Sequence, residues 1–224
     1  VLLCDFDPQA NASSGLGVDK RKRKQSVYDA LINGVDPKSL IVTTKYGDVL
    51  PSSSDLAGAT VGLIATESRE KQLKNVLERL RSDYDVILVD CPPSLEMLTL
   101  NGLCACDGIL VPVQCEYFAL EGLSDLMSTL RTVKRRMNPD LEIFGVLLTM
   151  YDGRTNFCAQ VAQEVRRHFP GKVFATVIPR NVRLSEAPSH GKPVNHYDGS
   201  SRGSVAYKLL AEEFLKQNPL TERK

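Results

Sequence analysis

The sequence predicts an α/β protein built on a doubly wound, mostly parallel sheet with helices on both faces. Short apolar runs recur along the chain at residues 1–5, 85–90, 108–113 and 143–148, and the first two stop at an aspartate. Runs of this length without polar alternation suit strands buried on both faces. Helical stretches separate them, and strands alternating with helices of this length form parallel sheets with right-handed crossovers. The 224 residues, 42% of them hydrophobic, can bury one large core, so residues 1–224 are read as a single domain.

The opening strand ends at Asp5, and Asp7-Pro8 stops the ladder because proline removes a donor and biases the residue before it. Five consecutive basic residues, 20–24, are read as a solvated loop, with phosphate or an acidic partner as the sharper alternative. Ser26 caps a short helix ending near Gly34. Residues 40–43 and 48–50 are weak strand candidates, and the Pro-Ser-Ser-Ser-Asp of 51–55 supplies a turn and a cap. From 67 to 81, Leu73, Val76, Leu77 and Leu80 recur at helical spacing, giving an amphipathic helix that leads into the strand at 85–90. Helices are expected around 94–106 and 120–137, and another through Val165. A fifth strand is expected at 173–178. The closing helix, 200–217, spaces Val205, Leu209, Leu210 and Phe214 to dock on a sheet face.

Composition excludes some functions. With 28 Lys+Arg against 27 Asp+Glu, nucleic-acid contact requires a local patch. No apolar run is long enough to span a bilayer. The six cysteines lie mostly in apolar segments and read as reduced core residues; a metal site on Cys104 and Cys106 is the alternative. His168, His190 and His196 have no usable partner spacing.

The residues that follow each strand carry the chemistry: Asp5 and Asp7, Asp90, residues 149–152 and residues 179–183. In a parallel sheet these groups converge on the carboxyl edge, where ligands bind. Three carboxylates without paired histidines suit Mg2+, which in such a place accompanies a phosphate. For Asp5 or Asp90 alone, a structural capping role is equally open. A phosphate cradle is missing: no G-x-x-x-x-G-K-[ST] occurs, and Gly171-Lys172 and Gly191-Lys192 are followed by Val173 and Pro193. An opening in mid-strand leads to the expectation that a strand, phosphate loop and helix lie upstream of Val1, that their strand is central in the sheet, and that the chain alone is inactive and poorly soluble.

Four ordered segments, residues 1–17, 89–95, 148–156 and 178–188, resemble the ParA/Soj chromosome- and plasmid-partitioning ATPases, which are P-loop NTPases with a deviant, lysine-containing loop. Ala10 departs mildly from the family, which often has glycine there. The resemblance implies ATP and Mg2+ as cofactors. It implies that Asp7 is the aspartate needed for hydrolysis, and that Asp5 and Asp90 lie near the magnesium ion. Pro179 and Asn181 match the adenine-recognition segment, and Asp152 lies in the other loop at that end. It further implies a homodimer that closes on ATP and binds DNA non-specifically through Arg183, with Arg202 a weaker candidate, and a ParB/Spo0J-type DNA-binding partner that stimulates hydrolysis. The expected location is cytoplasmic and nucleoid-associated, with no membrane. The alternatives are a MinD-like membrane ATPase, disfavoured by the closing segment with Glu212-Glu213, and an inactive fragment or binding module.

Overall fold

A computed structural model describes residues 1–219 other than Lys20, Arg23, Ala65, Tyr117 and Phe118, and only the backbone of residues 119–121. Two members of the basic run and the last five residues of the chain therefore lie outside the described residues. Strand β1 (Leu2–Asp5) runs into α1 (Asn11–Gly15), followed by α2 (Val27–Ile32), α3 (Pro37–Leu40) and the hairpin of β2 (Val42–Thr44) and β3 (Gly47–Leu50). Then come α4 (Ala59–Leu63), α5 (Gln72–Glu78), β4 (Ile87–Asp90), α6 (Met97–Ala105), β5 (Gly108–Gln114), α7 (Ala119–Arg136), β6 (Glu142–Thr149) and α8 (Asn156–His168). The chain closes through α9 (Val182–Glu186), α10 (Val194–Tyr197) and α11 (Arg202–Gln217).

Local chemistry sets several of these boundaries. Ser26 opens α2 with a reciprocal cap: its hydroxyl accepts from the Tyr28 amide, and Asp29 Oδ2 accepts from the Ser26 amide at 2.9 Å. The helix expected over 67–81 contracts to a 3₁₀ turn, Arg69–Lys71, and α5. Buried Asn101 explains this start, since its Oδ1 accepts from the Leu73 amide and its Nδ2 donates to the Arg69 carbonyl. Leu73, Val76, Leu77 and Leu80 all enter the core as expected.

The sheet differs from expectation in continuity. One piece has the order β2-β3-β1-β4, with β3 and β4 parallel to β1 and β2 antiparallel to β3; β5 and β6 form a second, parallel piece. Among the described residues β4 pairs only with β1, and β5 only with β6. A cavity of about 470 Å³ lies between the pieces, lined by Ile87 and Val89 on one side and by Gly108, Phe144 and Phe214 on the other. Because residues at the starts of both β4 and β5 line it, the two pieces share an amino edge and hence a carboxyl edge.

Two expectations about the end of the chain need correction. Residues 173–178 form no continuous strand but only isolated parallel bridges, Val146 with Val173 and Tyr151 with Pro179. Between them the Glu213 carboxylate accepts from the amides of Ala175 at 2.7 Å and Thr176 at 2.9 Å, occupying donors that a further ladder would use. In α11, Leu210 and Phe214 pack with Leu147, Phe174 and Ile178, but Val205 and Leu209 are 47% and 50% exposed. Ala206, with the capped turn at Ser201, sets the inward face instead. Of the cysteines, Cys104 packs among Leu103, Leu130 and Val133, so its apolar setting accounts for it.

Candidate active site

The site begins with the register of β1 on β4. Asp5 lies opposite Asp90, and the Phe6 amide donates to the Asp90 carbonyl at 2.8 Å, so both strands end together. Asp5 is fully buried: its Oδ2 accepts from the amide and the hydroxyl of Ser13, each at 2.7 Å, and its Oδ1 accepts from the Asp7 amide at 3.3 Å. A buried carboxylate needs such partners. Asp5 thus anchors α1 to the strand end, and its oxygens are engaged inside the protein.

Asp7 is half-buried in the turn that follows. Its Oδ1 accepts from the Gln9 amide at 2.9 Å and its carbonyl from the Ala10 amide, an Asx-type turn that fixes the carboxylate. Ala10 completes the turn in the left-handed region, at φ 53° and ψ 41°, which glycine adopts without strain. Asp90 lies at the mouth. Partial desolvation, with the charges of Asp5 and Asp7, pushes its pKa up to about 6. Burial raises the neighbouring Cys91 thiol to about 12, so it stays protonated and offers no thiolate.

The second half of the edge is built by the bridge from Tyr151 to Pro179. The Tyr151 amide donates to the Ile178 carbonyl at 3.0 Å and the Arg180 amide to the Tyr151 carbonyl at 3.3 Å, bringing Asp152 and residues 179–181 side by side. Met150, just before, is at φ 54°, a rare conformation for a side-chain-bearing residue that is found at ligand sites. Asp152 is held in a fork by Arg154, at 2.9 Å from Nε and 2.7 Å from Nη2, and these bonds keep its carboxyl well below the usual range. Asn181 caps α9, its Oδ1 accepting from the Arg183 amide at 2.9 Å. Arg180 pairs with Glu116.

The arginines expected to meet DNA have different settings. Arg183 is half-exposed but engaged, with Nη1 2.8 Å from Glu186 and Nε 3.1 Å from Asp198. Arg202 is exposed on the first turn of α11. The sequence did not point to Ser13, Arg154 or Glu116 as partners of the edge. Ser13 carried one signal, its place eight residues after Asp5, where the first turn of a helix returns to the strand end.

The donor set suits a hard cation: Asp7 and Asp90 present carboxylates at one strand edge, beside thiols that stay protonated. Among the described residues no group of three His, Cys, Asp or Glu could by itself hold a metal ion. A cation here would draw most of its ligands from water and a bound phosphate, the usual arrangement for Mg2+.

Comparison with known proteins places this geometry. A family profile described as AAA domain matches residues 1–143. The sporulation initiation inhibitor protein Soj of Bacillus subtilis is 54% identical over 215 residues, which are 95% of this chain and 85% of that protein. The chromosome partitioning protein ParA of Myxococcus xanthus is 48% identical over 220 residues, 97% of this chain and 78% of its own length. Among solved structures, cobyrinic acid a,c-diamide synthase from Mycobacterium smegmatis, with bound ADP and magnesium, superposes with a TM-score of 0.83 at 38% identity, covering 96% of this chain and 81% of that one. The cell division ATPase MinD of Pyrococcus furiosus superposes at 0.76 with 26% identity, covering 96% and 85%. Carboxylates gathered at the ends of parallel strands, together with identity of this extent to Soj and ParA, establish that the chain belongs to the ParA/Soj family of P-loop partitioning ATPases.

Proposed function

We propose that the chain acts as an ATP- and Mg2+-dependent partitioning switch, in which ATP closes a homodimer that holds DNA without sequence preference. Hydrolysis stimulated by a ParB/Spo0J-type partner then releases it, and the protein works in the cytoplasm on the nucleoid. The observation that supports this most is the division of labour among three aspartates at one strand edge: Asp5 is bonded internally while Asp7 and Asp90 face the mouth.

Asp7 orients the attacking water, because its carboxylate is fixed by the Gln9 amide yet half-accessible. Asp90, with Asp5 behind it, holds water ligands of the magnesium ion, which when bound neutralises charge on phosphate oxygens. Pro179, Asn181 and Asp152 form the adenine end, and Arg183 and Arg202 contact DNA phosphates. The reading includes a further parallel strand between β4 and β5, carrying a glycine- and lysine-containing phosphate loop. Two parallel edges that pair with no further strand among the described residues support it, with Leu88 50% and Leu110 37% exposed. So does a groove of about 1610 Å³ between α1, α10 and α11, lined by Leu16, Val194, Val205 and Leu209, which has room for a helix of roughly 10 Å diameter following such a strand.

Asp7→Ala tests the switch: ATP-dependent DNA binding persists while partner-stimulated turnover and release are lost. Normal turnover in that variant overturns the assignment. A MinD-like membrane role is the second reading, favoured by the superposition on MinD and by the exposed apolar residues of α11. No described helix is long and apolar enough to cross a membrane. Co-sedimentation with anionic liposomes separates the two readings.

A further inference from the structure

Helices α7 and α8 both run from the carboxyl edge of β5 and β6 back toward the amino edge, because each follows one of these parallel strands. They lie on one face, since Leu123 of α7 and Val161, Ala162 and Val165 of α8 join a single core cluster. Their last turns therefore project at the same end of the molecule, away from Asp7 and Asp90. Those turns are heavily basic. Residues 131–136 and 164–172 contain seven Lys and Arg and one acidic residue, Glu164, in a chain whose net charge is +1. Arg131, Lys134, Arg135, Arg136, Arg166, Arg167 and Lys172 are all exposed. Few of these charges are neutralised by what surrounds them: Lys134 donates to the Leu141 carbonyl at 3.0 Å, Arg167 approaches Glu164 only to 3.9 Å, and Asp140 and Glu142 follow in the connection to β6.

From this placement we infer that the ends of α7 and α8 form a second surface for the phosphate backbone of nucleic acid, on the opposite edge of the sheet from the candidate active site. Helix dipoles alone favour cations at helix ends, but one or two per end suffice for that. A protein partner is a poorer fit, because protein interfaces set their arginines beside aromatic and apolar anchors. Among the described residues no large apolar side chain is exposed in either basic segment. The same lack disfavours a membrane, whose surface binding needs buried apolar area as well as charge. Repeated cations without anchors match a polyanion read by charge alone. The inference rests on the DNA-binding reading above for its choice of ligand, but uses different residues from Arg183 and Arg202.

The test is fluorescence anisotropy, with ATP and Mg2+ present, of residues 1–224 preceded by a strand and a Lys-Gly-Gly-x-Gly-Lys-Thr loop, on a random-sequence DNA duplex across a salt series. It compares wild type, an Arg131→Ala/Arg135→Ala/Arg167→Ala variant, the corresponding triple Lys variant and Arg183→Ala. The triple Ala variant should bind at least about tenfold more weakly, with a log–log salt slope shallower by about 2.7, from three lost phosphate contacts at about 0.9 each. The triple Lys variant keeps the charges and should keep the slope, which also controls for folding. If the triple Ala variant matches wild type while Arg183→Ala weakens binding, this surface is overturned and the partitioning reading stands. If wild type does not bind DNA at all, both fall. Equal losses in the Ala and Lys variants would mean the residues act through structure, and would likewise overturn the inference.

Discussion

Ala10 carries the clearest residue-scale consequence, because a buried alanine at φ 53° occupies backbone space that costs an L-residue about 1–2 kcal/mol. Ala10→Gly should stabilise the fold by up to about 1 kcal/mol after the loss of one buried methyl, read as a higher urea midpoint; a lower midpoint would contradict the strain. Ser13 is the converse case. Its hydroxyl donates to Asp5 and accepts from the Ser52 amide at 3.3 Å, so Ser13→Ala leaves a buried carboxylate short of a donor. The expected cost is about 2–3 kcal/mol, read by denaturant titration. Asp90 gives a pH dependence. Its folded pKa, about 6, lies above the ordinary carboxyl value, so ionising it weakens the fold and stability falls as pH rises through that value. Asp90→Asn should melt higher than wild type near neutral pH, and the difference should vanish below pH of about 4, where both side chains are uncharged.

At the scale of elements, Glu213 ties α11 to the segment that bridges to β6 through the amides of Ala175 and Thr176. Glu213→Ala should cost about 1–3 kcal/mol and speed hydrogen exchange at those two amides ahead of their neighbours; unchanged exchange there would contradict the tie. Gly17 and Gly191 hold the closing segment against α1. Both have positive φ, and a Cβ on Gly191 would lie 3.0 Å from the Gly17 Cα, so Gly191→Ala should destabilise. The main strands were legible because they are short, nearly unbroken apolar runs, two of them stopped by an aspartate, and the Ser26 cap because its partner stands three residues on. The fifth strand was not, because its missing ladder bonds go to a glutamate 38 residues later. The inward face of α11 was misread for a related reason: Ala206 and Gly203 face inward because Leu184 and Phe174 approach closely, and small residues carry no periodic apolar signal. The length of α5 depends on Asn101, which no local pattern announces.

At the scale of the molecule, the carboxyl edge was legible in outline: Asp5, Asp7 and Asp90 meet, and Asp152 meets residues 179–181. The state of each group was not. That Asp5 is sealed by Ser13, that Asp152 is forked by Arg154 and that Arg183 is engaged by Glu186 and Asp198 are matters of tertiary packing. The split between β4 and β5 leaves, among the described residues, two parallel edges with apolar side chains exposed, which is what the proposed further strand would cover. The most direct test measures binding of a fluorescent ATP analogue with Mg2+ to residues 1–224, and to the same chain preceded by a strand and a Lys-Gly-Gly-x-Gly-Lys-Thr loop. Tight, Mg2+-dependent binding is expected only in the second, retained in its Asp7→Ala variant and weakened in Asp90→Ala. Equal affinity for both chains, or none for either, would contradict it.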